Sequence, residues 1–286
     1  MRRLLLTSLL IIVALPAWCL PLWELQGEAS NVRLLGSIHF LRAQDYPLPE
    51  AIDQAYQAAD ILVTEIDLDD LNPLAAAALM RKLAIDPQGR DLAALLGRSK
   101  YRSASTELEA LDIDPQAITP YEPWYAALQI TQLRLQQLGF DPSYGIEARM
   151  LMLASRDGKE IRGLETLEQQ LNALDSLPAP AQRLFLMQTI EEAAEIQASI
   201  DAVLVAWRAG DSQALQRELL GGLSDQPDLY ENLLVRRNRN WVRQITELAG
   251  DGNQYLVIVG ALHLVGPDSV LEMLRAKGVE NQQLRD

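Results

Sequence analysis

The chain has 286 residues, 49% of them hydrophobic and 22% charged, with a net charge of −14. That length and apolar fraction suit one large or two small packed domains and exclude a disordered or fibrous chain. The acidic balance argues against a broad nucleic-acid footprint or adsorption to an anionic membrane, both of which need a basic face.

Residues 1–19 read as a signal peptide. Arg2 and Arg3 precede an apolar stretch from Leu4 to Leu15, and Ala17 and Cys19 supply small residues before a cut. The stretch is short of the roughly 20 residues a spanning helix needs. A periplasmic or secreted protein starting near Leu20, with no stable membrane span after cleavage, is the expectation. An uncleaved N-terminal anchor and a lipidated Cys19 are the alternatives. Cys19 is the sole cysteine, so the mature chain has no disulfide.

Residues 22–27 and 32–35 predict a β-hairpin, and 47–59 a helix with apolar positions Leu48, Ile52, Tyr56 and Ala59. The β-branched run 61–66 predicts a strand, completing a βαβ unit that places Glu65 near His39. Helices follow at 72–83, 92–96 and 105–111, then an irregular stretch at 112–123 with prolines 115, 120 and 123. Helical spacing resumes at 124–138 and 145–154, with a turn at 156–159, a short strand at 160–163 and a helix at 166–174. Residues 177–181 read as a linker. A helical hairpin spans 181–209 and 212–219, a long helix spans 229–248, and a strand at 255–259 and a helix at 267–277 end the chain. The pattern predicts an α/β fold, with α+β as the variant: a central mixed sheet, flanking helices, and a mainly helical insertion or cap within about residues 72–250 of a single domain, 20–286.

Both histidines share one setting. His39 ends Gly36-Ser37-Ile38-His39 after an apolar run, and His263 ends Gly260-Ala261-Leu262-His263 after another. A parallel strand ending in glycine lets backbone approach a ligand, and the next side chain points into the crevice where open sheets bind ligands. The bland alternative is two imidazoles bonded to backbone beside structural glycines. Two histidines without a mature cysteine make a poor structural zinc site, so a metal here needs carboxylates; Mn²⁺, Co²⁺ or Zn²⁺ suits such a nitrogen and oxygen set. Glu65, a charge at the end of an apolar strand run, is the leading carboxylate, either a ligand or a general base. Asp67 is second, and Glu65 facing solvent is the bland reading. Glu147 and Glu165 each follow a glycine by two residues; they complete the site, orient a histidine, or sit as helix N-terminal carboxylates. Arg237 and Asn238 lie in a cluster with Arg236 and Arg239 and either steady an oxyanion or pair with acids elsewhere. The serine-nucleophile elbow, the His-Glu-x-x-His metalloprotease motif and the phosphate-binding loop are all missing.

The chain resembles the TraB/GumN family, whose relatives include the animal Tiki-type membrane metalloproteases. The resemblance rests on Leu35-Gly36-Ser37-Ile38-His39, Val63-Thr64-Glu65, Glu122-Pro123-Trp124, Gly145-Ile146-Glu147, Gly163-Leu164-Glu165-Thr166 with Gln169, Arg237-Asn238 and the segment from Gly260 to Gly266. It implies a central sheet and a divalent-metal site built by the two Gly-x-x-His motifs and an acidic residue. Carried over, His39, Glu65 and His263 stand at the centre, with Arg237 and Asn238 supporting. Glu147 replaces the aspartate usual at its position. The implied activity is a metal-dependent, peptidase-like hydrolase acting on a peptide or small molecule. The competing class is a non-catalytic module that binds a peptide or small ligand in the same crevice.

Overall fold

The structure is a computed structural model describing residues 19–29, 31–67, 70–223 and 225–285. The signal-peptide expectation lies outside these residues, except for Cys19, whose backbone opens the first strand. Six strands form one mixed sheet: β1 (Cys19–Leu25), β2 (Val32–Ser37), β3 (Ile61–Ile66), β4 (Glu160–Glu165), β5 (Tyr255–Gly260) and β6 (Asn281–Arg285), in the order β4-β3-β5-β2-β1-β6. The strands β4, β3, β5 and β2 pair in parallel, whereas β1 is antiparallel to both β2 and β6.

The centre of the sheet is covered on both faces, which explains why β5 reads as an unbroken apolar run. Leu256 and Ile258 enter one core with Leu35 and Leu62, while Tyr255, Val257 and Val259 enter the other with Leu34 and Val63. Helices Glu50–Ala58, Ile146–Asp157 and Ile196–Arg208 pack on the first face, and Arg236–Glu247 and Val270–Ala276 on the second. The central helices hold further cores of their own, one joining Leu96, Leu108, Ile130 and Leu186, another joining Trp124, Leu171 and Leu229.

The α/β architecture with a helical middle is as expected; several local expectations are corrected. The last strand of the parallel group, β5, inserts between β2 and β3, so these two are not neighbours. The most buried strand takes the centre. Residues 177–181 do not form a linker: Leu177 is buried, and Pro178 and Pro180 start the helix Ala179–Glu192, where a missing N–H costs nothing. The long helix expected over 181–209 is two helices, broken before Ile196. The polar edge strand β6 and most of the helix Arg98–Glu109 lack the apolar periodicity that would have announced them. Among the described residues no helix is long and apolar enough to cross a membrane.

Candidate functional site

Four parallel strands deliver their C-terminal ends to one rim. Ser37 ends β2, Glu65 lies next to last in β3, Glu165 ends β4 and Gly260 ends β5. The switch in strand order that β5 creates at this rim is where open α/β sheets leave a crevice. Gly260 marks its centre: a methyl group there would lie 3.3 Å from Glu65 Oε1, 3.4 Å from His39 Nε2 and 3.8 Å from His263 Cδ2. Only glycine leaves that point open. The two histidines and Glu65 are therefore brought together around one small volume, although β2 and β3 are separated by a strand.

His39 lies in the loop after β2, its side chain 57% exposed, with Nδ1 2.8 Å from Glu147 Oε1. The same oxygen accepts a short hydrogen bond from Ser37 Oγ, and Glu147 Oε2 is buried without a protein partner. Gly145 makes this contact possible. Its Cα packs so tightly on the His39 backbone that a Cβ would fall 2.2 Å from the His39 carbonyl oxygen, and the Ile146 amide donates to the Ile38 carbonyl at 3.1 Å. The charge of Glu147 raises the His39 pKa to about 9 against the opposing effect of burial, so the ring is an imidazolium at neutral pH. Burial opposes ionisation of Glu147 in turn, but the charge and hydrogen bond of His39, with the Ser37 bond, hold it below the usual range.

His263 is not at the strand end but in the 3₁₀ turn Ala261–Leu264, 3% exposed, its ring centroid 4.4 Å from that of Trp241. Arg237 Nη1 approaches Nε2 at 3.0 Å, and Asn238 Oδ1 approaches Nδ1 at 2.6 Å. A guanidinium only donates, so Nε2 must be the acceptor and Nδ1 must carry the proton that goes to Asn238. The Asn238 amide is oriented by its own donation to the Asp268 carbonyl at 2.7 Å. Burial, with the positive charge of Arg237, pushes the His263 pKa down to about 3 and keeps this ring neutral.

Arg237 is the hub. It is the second residue after a π-helical turn, Glu231–Val235, inside a helix that begins at Pro227. Such turns recur at functional positions. Its Nε donates to Glu165 Oε1 at 3.0 Å; Nη1 donates to the Leu233 carbonyl at 3.1 Å and to His263; Nη2 donates to Glu65 Oε2 at 2.6 Å and Glu165 Oε1 at 2.7 Å. All five N–H groups are used, and the guanidinium stacks 4.7 Å above the Trp241 ring. Glu65 also accepts from the Gly260 amide at 2.8 Å and from Gln170 Nε2 at 2.9 Å. Burial by itself disfavours its charge, but with His263 neutral it is the Arg237 guanidinium, the His39 imidazolium and the Gly260 amide that favour the carboxylate and hold its pKa below the usual range. Burial holds Glu165 above the usual range in spite of Arg237.

The expected supporting residues divide. Glu147 faces His39 Nδ1 at 2.8 Å, whereas Glu165 pairs with Arg237 and touches neither histidine. Gly36 lets the Ala261 turn pack on β2: a Cβ there would stand 3.2 Å from Ala261 Cα. Asp67 accepts from the Asp70 amide at 3.3 Å, and its own backbone lies against Gly163 of β4. Asn238 Oδ1 accepts from His263 Nδ1. Ser37, Gln170 and Trp241 join the site without a motif that announces them, although Trp241 lies one helical turn after Arg237 on the same face.

A catalytic zinc ion takes three protein ligands, normally with an open position beside them. Here the His263 Nε2 lone pair is taken by Arg237, and Glu65 Oε2 carries two N–H donors. The donors left facing the open point are His39 Nε2 and Glu65 Oε1. Among the described residues no three or more His, Cys, Asp or Glu side chains are grouped to hold a metal ion. The side-chain arrangement therefore does not fit the divalent metal that the sequence suggested, because a guanidinium stands between its ligands.

A mixed sheet with two Gly-x-x-His turns at one rim defines the class, and the family model agrees with it. The chain belongs to the TraB/PrgY/gumN family, whose model matches residues 21–283. It is similar to the "Uncharacterized protein YbaP" of Escherichia coli strain K12, 25% identical over 86% of this chain and 88% of that protein. It is also similar to zebrafish "Metalloprotease TIKI2", 23% identical over 86% of this chain and 57% of that protein, and to zebrafish "Metalloprotease TIKI1", 21% identical over 91% and 62%. No solved structure matches.

Proposed function

We propose that this protein is a peptidase-like hydrolase acting at the rim around Gly260. The observation that carries the proposal is the convergence there of His39 Nε2 and Glu65 Oε1, a proton donor facing an ionised acceptor across one small volume. Two relatives named metalloproteases support the reaction class. In this reading His39, aligned by Glu147, donates a proton to the leaving amine, and Glu65 accepts one from the attacking water. No step is assigned to a metal, because the donors present do not fit one. The proposal places the protein in the periplasm or outside the cell after loss of residues 1–19, with membrane anchoring through an uncleaved segment as the alternative; N-terminal sequencing of the protein from its native host separates the two.

A second reading is a binding module on the same fold that holds a peptide or small ligand without cutting it. Arg237 favours it, since its guanidinium ties up the groups a hydrolase would free for catalysis. Quenched-fluorescence peptide pools, incubated with wild type, His39→Ala and Glu65→Gln with and without Mn²⁺, Co²⁺ or Zn²⁺, test the choice. Cleavage by wild type that both variants lose supports the hydrolase. Saturable binding of the pools with no cleavage in any condition supports the module.

A further inference from the structure

On the outer side of Arg237 and Glu165 lies a cavity of about 360 Å³ between the helices Leu167–Asp175 and Arg236–Glu247. Leu164 and Ala173 form its apolar floor, and Gln169, Asn172, Asn240 and Gln244 line it with amides. Three arginines, Arg236, Arg237 and Arg243, border it against one carboxylate, Glu165. That carboxylate is already bonded through both oxygens to Arg237 Nε, at 3.0 and 3.2 Å. Arg236 has only a long contact, 3.7 Å, to Glu231, whose Oε1 is taken at 3.1 Å by Arg239.

Among the described residues Arg243 is in no ion pair and Arg236 keeps only the 3.7 Å contact to Glu231, so two guanidinium groups at the cavity edge are available to an outside anion. Arg236 and Arg243 lie seven positions apart on one helix, hence two turns along the same face. Amides between them supply donors and acceptors for a peptide backbone. Guanidinium recognises carboxylate through paired, charge-assisted hydrogen bonds. Arg237 and Glu165 border the cavity and also reach the rim, so the cavity adjoins the site through these two side chains, with Arg237 standing between it and Glu65.

We infer that this cavity is a subsite for a carboxylate of a bound peptide, held by Arg236 and Arg243 beside the Gly260 rim. The inference rests on the reading that the rim handles peptides, whether or not it cuts them. The carboxylate comes either from a peptide C-terminus or from an acidic side chain; both present the same planar anion.

Fluorescence anisotropy with three labelled tetrapeptide pools tests it: free C-terminal acid without acidic residues, the same pool amidated, and an amidated pool carrying one glutamate. At least one carboxylate-bearing pool should bind wild type about tenfold more tightly than the neutral pool, a difference of about 1.4 kcal/mol. The pool that gains identifies the source. The double variant Arg236→Gln, Arg243→Gln should lose that preference while binding the neutral pool as wild type does, with an unchanged circular dichroism spectrum. Raising salt should narrow the preference. Equal affinities for all three pools, no binding of any pool, or an undiminished preference in the folded double variant overturns the subsite. A misfolded double variant is replaced by Arg243→Gln alone, judged by the same preference. Cleavage is scored separately: carboxylate-dependent binding without cleavage removes only the hydrolase, and cleavage indifferent to the carboxylate removes only the subsite.

Discussion

Replacing Arg237 by glutamine removes the cation on which the site is organised. The side chain is 9% exposed and pairs with Glu65 at 2.6 Å and Glu165 at 2.7 Å. Removing one partner of a buried ion pair costs about 3–5 kcal/mol, because the other charge stays buried and uncompensated. Two carboxylates share one guanidinium here, so the losses do not add, and Glu165, already shifted upward by burial, relieves part of the strain by protonating. For a chain of this size each kcal/mol shifts the melting temperature by about 2–4 °C, which puts the expected fall at roughly 6–20 °C near neutral pH. The same change frees the His263 Nε2 lone pair and two carboxylates, so Mn²⁺ or Zn²⁺ should recover part of that fall. A metal at a hundred times its dissociation constant contributes about 2.7 kcal/mol. Wild type should gain far less from the same metal. The assay is a thermal melt of wild type and Arg237→Gln over a metal titration, with isothermal calorimetry for stoichiometry. A wild type that binds one ion as tightly as the variant, through His39, Glu65 and His263, would refute the claim that Arg237 stands in the metal's place. A variant that melts within about 2 °C of wild type would refute the energetic account.

Three further outcomes follow from the same geometry. Glu147→Gln removes the charge that holds His39 near 9, so the His39 ring resonances should titrate closer to 6.5 by NMR; if the proposed acid role is right, the wild-type rate falls as pH rises through about 9, and the variant's falls earlier. His263 is neutral in the fold, with a pKa of about 3, against 6.5 when unfolded. Below pH 6.5 the unfolded chain binds a proton that the folded ring refuses, so this group's contribution is complete above 6.5 and is lost as pH falls toward 3, on the order of a few kcal/mol. Urea melts across that range should show the loss in wild type and a shallower slope in His263→Gln; equal slopes would remove the assignment. Gly145→Ala drives a methyl group into the His39 carbonyl, at 2.2 Å before relaxation, and should cost about 1–3 kcal/mol in a denaturant melt while lowering the His39 pKa through displaced Glu147. Unchanged stability and an unchanged His39 titration would show that this backbone contact does not position the acid.

Much of the fold was legible along the chain because its central strands are buried on both faces and its helices are amphipathic. The runs ending at Gly36 and Gly260, the β-branched stretch before Glu65, and the two Gly-x-x-His turns carry local signals of burial, turn and chemistry. They suffice to bring His39, Glu65 and His263 under suspicion together. Which strand lies between which is not local information: β5 enters between β2 and β3 because the most apolar strand gains most from the central position. The prolines 178 and 180 read as a linker because helix N-termini and loops favour the same residue, and only packing of Leu177 decides between them. Partner choice at the site is likewise tertiary. A sequence shows that an arginine, two glutamates and a histidine exist, but ion pairs form by distance, and here one guanidinium satisfies Glu65, Glu165 and His263 at once. His39, Glu65 and His263 stand as neighbours around Gly260, while the cation among them is decided by how the helix carrying Arg237 packs against the rim.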